Sequence, residues 1–344
     1  MKQHQLERIA PFLVSVIIPM KNSATTILHT LKSVVRQSYP IKEIIIVDNV
    51  STDNSVELAL EFAKKSIIPV HIIRRKENKG VGASYNFGVK KAISSHVIFM
   101  HSDSSLPSDH EIEKLVEPFG KDLKVVASYP KVILPKNVWD TYNFWQKCLF
   151  SRSVDKESAG FNGKFDCVKK KAFVRVGGFN DISFGGDVSV GGEDADLYLR
   201  LENKGKLILS KAKVIHLHYL GNNYSLSDWI KNRKLLARTY GRLIRFQGKS
   251  LPLKTYGKGL LIPLGVLNFL IKPGLAILPF IPNLHLFGIV LLIIYAFVNS
   301  KKIYTTLSTL LNPRIIFLPF IDIFLVYYET FWMIQAFSFV KRKV

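Results

Sequence analysis

Short apolar runs separated by amphipathic stretches dominate residues 14–130 of the chain. A continuous apolar run is typical of a strand that is covered on both faces of a parallel sheet. The runs of this kind are Val14–Ile18, Ile44–Val47, Val70–Ile73, Val97–Met100 and Val125–Tyr129. The stretches between them carry apolar residues at helical spacing, and Ser108 with Glu111 forms a capping-box pattern that predicts a helix start. This alternation predicts an α/β fold with a doubly wound, mostly parallel sheet.

The pattern is less regular over residues 131–192, which are rich in glycine and aromatic residues. A helical pattern returns from about Asp194 to Gly205, and glycine is a typical residue just past a helix end. The apolar run Val214–Leu217 predicts one more strand. We therefore expect the α/β domain to cover residues 1–224.

The charge of the chain changes after the predicted α/β domain. Residues 225–258 contain nine Lys and Arg side chains and a single acid, Asp228. At helical spacing, one face is basic and another is apolar. The basic set is Lys231, Lys234, Arg238, Arg242 and Arg245, and the apolar set is Trp229, Leu236, Tyr240 and Leu243. The pattern predicts either a basic amphipathic linker helix that lies on anionic lipid or an ordinary surface helix packed on the domain.

Residues 259–344 are predominantly apolar and form the third predicted segment. Their apolar stretches are Leu260–Phe280, Leu284–Val298 and Ile315–Val340. This density of large apolar side chains favours membrane-associated helices over a buried soluble domain, and it leaves the number of true spans open. Basic residues at Lys301–Lys302, Arg314 and Lys341–Lys343 indicate cytoplasmic loops by the positive-inside rule. We expect a location at the cell membrane, with the catalytic domain on the cytoplasmic side.

The composition narrows the partners that the chain can bind. A net charge of +22 and a pI near 9.8 over 344 residues favour anionic partners such as phosphorylated substrates or membrane surfaces. The positive charge concentrates beside apolar stretches, which favours lipid phosphate over nucleic acid. Only two cysteines, Cys148 and Cys167, are present, so a reducing compartment is expected. The first apolar run, which ends at Pro19, is expected to be a strand rather than a signal peptide.

Three acidic landmarks occur in a fixed order on this alternating chain. Asp48 and Asp103 follow predicted strands, and Glu193-Asp194 opens a predicted helix. Because open α/β sheets bind ligands at the carboxyl ends of their strands, these side chains are expected to line a crevice. Three carboxylates in a basic protein suggest a site that holds a metal and a nucleoside diphosphate and that supplies a base. This combination indicates sugar transfer from an activated nucleotide. No G-x-G-x-x-G or G-K-[ST] loop follows the first strand, which argues against a dinucleotide oxidoreductase and a P-loop enzyme.

Three blocks of the sequence resemble the family-2 glycosyltransferases of GT-A fold. The blocks are VSVIIPMKNSATTILHTLKSVVRQSYPIKEIIIVDNVSTDNS, then ENKGVGASYNFGVKKA with VIFMHSDS, and last GFND with GGEDADLYLRLENKG. They follow one another in the family's order and cover roughly residues 12–220. The resemblance implies a nucleotide-diphospho-sugar transferase domain and an inverting transfer. The Gln-x-x-Arg-Trp pattern of processive members is absent, so we expect one sugar to be transferred per encounter.

The resemblance also assigns residues to the sugar donor. Asp48 matches the aspartate that hydrogen-bonds the nucleotide base, and a carboxylate that accepts an imide N–H favours uracil and hence a UDP-sugar. The alternative for Asp48 is a turn aspartate without a ligand. Asn49 stands where a second acid is often found, so the charge there is lower. The other residues matched to donor contacts are Pro19, Asn22, Asn78, Gly80, Asn86 and Ser102.

His101-Ser102-Asp103 resembles the D-x-D metal motif of the family, with histidine in place of the first aspartate. Asp103 is the residue expected to bind Mg²⁺ or Mn²⁺ at the diphosphate. His101 is acceptable for Mn²⁺, or it serves only as a hydrogen-bonding residue at a strand end. The family often ends its last strand with a histidine that binds metal or diphosphate. His216 or His218 matches that residue, and a core histidine is the alternative.

Glu193-Asp194 resembles the acidic pair of the family, in which Asp194 occupies the position of the base. A single displacement requires one carboxylate to take the proton of the acceptor hydroxyl. Asp196 is the rival base, and helix capping is the alternative role for these acids. The sequence thus predicts a metal-dependent, inverting glycosyltransferase at the membrane that acts on a polyprenyl-linked, other lipid-linked or envelope glycan acceptor. Histidine at position 101 leaves open a non-catalytic membrane scaffold of the same fold.

Overall fold

The computed structural model describes residues 12–180, 192–217, 223–247 and 271–339. The strands are β1 (Val14–Met20), β2 (Ile41–Asp48), β3 (Val70–Arg74), β4 (His96–Met100), β5 (Ser104–Ser105), β6 (Val125–Ile133), β7 (Glu157–Ala159), β8 (Phe165–Lys169) and β9 (Lys206–His216). The helices are α1 (Ile27–Val35), α2 (Ser55–Lys65), α3 (Gly80–Lys91), α4 (Glu111–Lys121), α5 (Lys136–Asp140), α6 (Phe144–Phe150), α7 (Lys170–Arg175), α8 (Glu193–Glu202), α9 (Leu226–Gln247), α10 (Ile271–Phe280), α11 (His285–Asn299), α12 (Lys301–Tyr304), α13 (Leu307–Leu310) and α14 (Leu318–Phe339). Each strand that the apolar runs predict is present.

The chain divides into two compact units. Among the described residues, the α/β unit comprises 12–132, 159–180 and 193–217. The helical unit comprises 133–158, 192, 223–247 and 271–339. The three-part division that the composition suggests, at residues 224 and 258, stays a prediction.

The α/β unit is built on one mixed sheet with the strand order β3-β2-β1-β4-β8-β6-β9-β5. Its first half is parallel, because β1 pairs with both β2 and β4, and β2 pairs with β3. This confirms the fold class that the alternation predicts. The second half contains antiparallel pairs, in which β8 lies between β4 and β6, and β5 pairs with β9. The sequence did not predict β8, because Asp166 interrupts its apolar run.

Helix α4 begins with its backbone capped by a distant side chain. The capping box predicted for Ser108 and Glu111 is wrong, because Ser108 Oγ contacts the Glu111 carboxylate and caps no backbone N–H. The N–H groups of Glu111 and Ile112 instead donate to Oε1 of Gln37, at 2.9 and 3.1 Å. Gln37 follows α1, so this contact fixes the start of α4 against the first helix.

The central strands hold the core, and α3 packs directly on them. Ile17 of β1 is fully buried, and it contacts α3 at Gly88. A Cβ at position 88 would overlap Cγ2 of Ile17. Only glycine permits this close approach of helix and sheet, which positions the amino end of α3 at the carboxyl edge of the sheet.

We predict that Gly88→Ala destabilises the protein by about 1–3 kcal/mol, because the added methyl group overpacks the contact with Ile17. The matched control is Gly120→Ala in α4, where a Cβ meets no atom within 4 Å. Gly120→Ala should be neutral or stabilise the fold by roughly 0.5–1 kcal/mol, as alanine is the better helix former. Urea unfolding of the full chain measures both changes. Equal midpoints for the two variants would contradict the packing described here.

The acids of α14 are buried in the helical unit, and both have partners. Asp322 accepts hydrogen bonds from Asn299 Nδ2 at 2.6 Å and from Ser300 Oγ. Glu329 pairs with Arg233 of α9 at 2.5 Å and with Lys272 of α10. Because a buried carboxylate without partners is costly, these contacts fix how α9, α10 and α14 pack together.

The predicted faces of α9 agree only partly with the structure. Trp229 and Leu243 are buried as expected, whereas Leu236 and Tyr240 remain about two-fifths exposed. Arg242, expected on the basic exposed face, is buried. The reason is that α9 packs on α14 within the helical unit, so its buried stripe follows that neighbour rather than the helical wheel alone.

One helical stretch of the described residues, Pro313–Ser338, is long and apolar enough to cross a bilayer. Helices α10 and α11 are apolar but shorter. Large apolar side chains such as Leu286, Phe320 and Phe331 are more than half exposed.

Candidate functional site

Asp48 ends β2 at the carboxyl edge of the parallel strands, where it is fully buried. The N–H of Ser51 donates to its Oδ1 at 3.2 Å, and Nε of Arg74 lies 3.6 Å from its Oδ2. Oδ2 is buried and, among the described residues, has no hydrogen-bond partner, which is unusual for a buried carboxylate oxygen. Pro19 lies in the neighbouring β1, opposite Val47.

The loop after β1 is tied to the loops that follow β2 and β4. Asn22 has a left-handed backbone with φ of 48°. Its Oδ1 accepts from the N–H of Thr52 at 2.8 Å, and its own N–H donates to Ser51 Oγ at 3.0 Å. The hydroxyl oxygens of Ser23 and Ser102 are 2.8 Å apart. These contacts bring Asn22 and Ser102 to one edge of the sheet.

A second network joins the start of α3 to the end of β2. Asn49 Nδ2 donates to Oδ1 of Asn78, which also accepts from the N–H of Gly80 at 3.1 Å. Asn49 Oδ1 accepts from the N–H of Lys79 at 3.3 Å. Gly80 has a φ of 85°, which glycine adopts without strain. Asn49, Asn78 and Gly80 therefore lie together, and an acid is not needed at position 49 to hold the turn.

Asn86 binds a glycine turn of the protein itself. Its Oδ1 accepts from the N–H of Phe179, and its Nδ2 donates to the carbonyl of the same residue, both at 2.8 Å. Arg200 of α8 donates to the carbonyls of Val176 at 2.5 Å and Gly178 at 2.7 Å. This turn is therefore fixed between α3 and α8, and the amide of Asn86 shapes the site through it.

His101, Asp103 and His216 form a cluster whose ligand atoms all lie within 4.8 Å of one another. His216 Nε2 is 3.0 Å and His101 Nδ1 is 3.9 Å from Oδ1 of Asp103. The cluster forms because Ser104 pairs with His216 across β5 and β9. His218, the other histidine considered for this role, lies outside the described residues.

The donor set of this cluster fits a divalent transition metal. Burial, reinforced by the charge of Lys164, lowers the pKa of His101 to about 3, and the same causes hold the pKa of His216 well below its usual range. Both imidazoles are therefore neutral and able to bind a metal at physiological pH. Two imidazoles and one carboxylate suit Mn²⁺ better than Mg²⁺, which prefers oxygen ligands.

Glu193 and Asp194 stand at the amino end of α8. Oδ1 of Asp194 accepts from the N–H of Ala195 at 2.8 Å, and a Cβ at Gly82 of α3 would lie 3.5 Å from Cγ of Glu193. Within the part of the chain that the structure describes, Oε2 of Glu193 has no partner. Burial and the neighbouring Asp194 raise the pKa of Glu193 to about 8, and burial also raises the pKa of Asp194. The pair therefore retains a proton near neutral pH.

Asp196, the rival base, is held in an ion pair. Its Oδ2 accepts from Nε and Nη2 of Arg200 at 2.8 and 2.6 Å, and the side chain is almost fully buried. A carboxylate bound in this way is a poor proton acceptor, because protonation would break a charge-assisted contact.

Asp166 and Tyr85 belong to the same region, and the sequence analysis missed them. Asp166 is fully buried, and its Oδ2 accepts from the N–H groups of Asn162 and Gly163 at 2.8 and 2.5 Å. The hydroxyl of Tyr85 donates to the carbonyl of Gly163 at 2.7 Å. Burial raises the pKa of Asp166 to about 8. The only signal in the sequence was the position of Asp166 inside a short apolar run, and this position does not predict which groups the acid binds.

The α/β unit has a fold of GT-A type. Residues 15–181, a little under half of the chain, match the model of glycosyl transferase family 2. The mannosyltransferase PcManGT from Pyrobaculum calidifontis, solved with GDP-Man and Mn²⁺, has a similar fold, with a TM-score of 0.58. It is 15% identical, and the match covers 95% of this chain and 88% of that one.

Curated relatives are named as a glycosyltransferase or a polysaccharide synthase. The poly-beta-1,6-N-acetyl-D-glucosamine synthase of Staphylococcus epidermidis is 28% identical over 185 residues, which are 52% of this chain and 44% of that protein. The glycosyltransferase AglE of Haloferax volcanii is 31% identical over 189 residues, 52% of this chain and 59% of the relative. The chain thus spans about half the length of these relatives.

We predict that Asp103→Asn weakens Mn²⁺ binding by the full chain at least tenfold, because it removes the charged ligand between the two histidines. The control is Asp109→Asn, since Asp109 is exposed and pairs with Arg36 away from the cluster. Titration calorimetry with MnCl₂ compares the variants with the wild type. Equal Mn²⁺ affinities for Asp103→Asn and the wild type would show that the metal binds elsewhere.

Proposed function

We propose that the chain transfers a sugar from a nucleoside diphosphate donor to an acceptor hydroxyl, with a metal at the diphosphate and inversion at the sugar carbon. One observation carries this proposal. A Cβ at Gly163 would lie 3.3 Å from both Nε2 of His101 and Cε2 of Tyr85, and a Cβ at Gly82, on the same helix as Tyr85, would lie 3.5 Å from Cγ of Glu193. This proximity through α3 supports one crevice of the α/β unit that holds both the metal cluster and the acidic pair, as a displacement at a single carbon requires.

The donor would be held by residues from three loops. Oδ2 of Asp48 accepts an N–H of the base, which favours a uracil nucleotide, and Pro19, Asn22 and Asn49 border the same edge. His101, Asp103 and His216 would hold Mn²⁺, which when bound stabilises the charge of the leaving diphosphate. Asn78, Gly80 and Ser102 complete the loops that surround the donor.

Asp194 is proposed as the base. The acceptor oxygen forms a bond to the sugar carbon, the bond from that carbon to the diphosphate oxygen breaks, and the hydroxyl proton passes to the carboxylate. Burial raises the pKa of Asp194 and makes it a stronger proton acceptor than an exposed aspartate. Glu193 carries the shared proton beside it. The ion pair of Asp196 with Arg200 supports Asp194 over its rival.

The acceptor is proposed to be a polyprenyl-linked, other lipid-linked or envelope glycan at the cytoplasmic face of the cell membrane. The apolar stretch Pro313–Ser338, the exposed apolar residues of α11 and α14, and the basic residues of α9 support membrane lipid as a partner. A relative named as a polysaccharide synthase supports a glycan acceptor.

A non-catalytic scaffold was suggested by the histidine at position 101. Two features now disfavour that alternative. His101 lies with Asp103 and His216 in a cluster that suits a metal, and the acidic pair keeps raised pKa values that a scaffold has no need to maintain. The enzyme is the function that we retain.

We predict that membranes containing the chain release nucleoside diphosphate from one member of a panel of nucleotide sugars. EDTA should abolish the reaction and Mn²⁺ should restore it, because the metal held by the cluster would stabilise the charge of the leaving diphosphate. Nucleoside diphosphate release is measured for UDP-, GDP- and dTDP-sugars with a lipid extract as acceptor source. No release from any donor, with the wild-type chain intact, would count against the proposal.

We predict that Asp194→Asn lowers the transfer rate about 10²–10⁴-fold while donor binding persists, because only proton transfer is lost. The wild-type rate should rise with pH through the range in which Asp194 loses its proton, because burial raises the pKa of this base above the usual range of an aspartate. The matched control is Asp228→Asn in α9, which lies in the helical unit. A rate that stays at the wild-type level in Asp194→Asn, or that falls as the pH rises over this range, would contradict the assignment of the base.

A further inference from the structure

Lys164 stands in the turn that leads into β8, and the register of the sheet brings it to the metal cluster. Strand β8 runs antiparallel to β4, with Phe165 opposite Met100. The pairing ends there, and Lys164 and His101 are the residues that directly adjoin this last pair, one before Phe165 and the other after Met100. This proximity is not evident from the sequence, because the two residues are far apart along the chain.

The turn that carries Lys164 is held in place by hydrogen bonds. The N–H groups of Asn162 and Gly163 donate to the buried Asp166, and the N–H of Lys164 donates to Oδ1 of Asn162 at 3.2 Å. Gly163 has a φ of 74°, and a Cβ there would lie 3.3 Å from Nε2 of His101. The backbone next to Lys164 therefore lies directly against the metal cluster, and hydrogen bonds within the turn hold it there.

The charge of Lys164 affects the pKa values of groups throughout the site. It helps to lower the pKa values of the two histidines, and it opposes the rise that burial causes in the pKa values of the acids. The groups affected are His101, His216, Asp166, Glu193 and Asp194. These shared effects agree with the position beside the metal cluster that the backbone of the turn gives Lys164.

No carboxylate forms an ion pair with Lys164 among the residues that the structure describes, although the side chain is half-buried. The nearby acids do not supply a paired negative charge. Asp103 lies between the two histidines, and Glu193 and Asp166 have pKa values raised to about 8. A half-buried ammonium group without a counter-ion is costly. A polyanionic ligand bound at this point would remove that cost.

We propose that Lys164 binds the diphosphate of the nucleotide-sugar donor, as a second cation beside the metal. This inference rests on the proposed function and adds a residue to it. Two neutral imidazoles and one carboxylate leave a divalent metal with a net positive charge, and the lysine adds to it. The positive charges of the metal and Lys164 together complement an anionic diphosphate. When no diphosphate is bound, these two charges repel each other.

The test follows from the opposite signs of these two effects. Lys164→Gln should weaken binding of the nucleoside diphosphate in the presence of Mn²⁺ by roughly tenfold to a hundredfold, through loss of a charge-assisted hydrogen bond. The same variant should bind Mn²⁺ alone about threefold more tightly or better, since a repelling charge is gone. Titration calorimetry of the purified full chain, with MnCl₂ alone and with UDP or GDP added, measures both.

Two further variants serve as controls. Lys171→Gln removes the same charge from the exposed side of α7 and should change neither affinity. Lys164→Arg keeps the charge and should retain most of the affinity for the nucleoside diphosphate.

Weaker binding of both Mn²⁺ and nucleoside diphosphate by Lys164→Gln would indicate a merely structural residue and overturn the inference, as would unchanged diphosphate affinity. A wild-type chain that binds Mn²⁺ but no nucleoside diphosphate would instead overturn the proposed function, and this assignment with it.

Discussion

The pairing of two short strands at the edge of the sheet determines the chemistry of this site. Strand β5 is only two residues long, yet its Ser104 pairs with His216 at the end of β9. That pairing brings an imidazole to 3.0 Å from Asp103, whose other neighbour in the cluster, among the described residues, is His101 from its own loop. Without it, one carboxylate and one histidine would be too few ligands for a divalent metal.

Burial then sets the charge states that the site needs. The imidazoles are kept neutral, the acidic pair is kept partly protonated, and Asp166 is kept neutral while it binds the backbone of the 162–164 turn. In water the carboxyl groups would be ionised at neutral pH, and the imidazoles would be partly protonated. Because desolvation is the largest cause in each case, the site depends on the packing of β4, β8 and α8 around it.

The sequence predicted the parts of the site that local pattern encodes. Asp48 and Asp103 follow apolar runs whose length and composition indicate strands, so their position at one edge of the sheet was predictable. Lys164 and Gln37 were not, because each acts through a partner that is remote in sequence and is brought near by antiparallel pairing or helix packing. Asp166 was not, because an acid inside a short apolar run does not predict the turn whose N–H groups it binds. The faces of α9 were predicted in part, since burial of Arg242 depends on its neighbour α14.

The central claim is that one metal ion contacts both histidines and the donor diphosphate. Pulsed electron paramagnetic resonance of Mn²⁺ bound to the full chain tests it most directly, because ligand nitrogen and phosphorus nuclei give separate couplings. The account predicts nitrogen couplings from His101 and His216, lost in turn in the His101→Ala and His216→Ala variants, and a phosphorus coupling once nucleoside diphosphate is added. Phosphorus coupling without histidine nitrogen, or bound Mn²⁺ with neither, would contradict it.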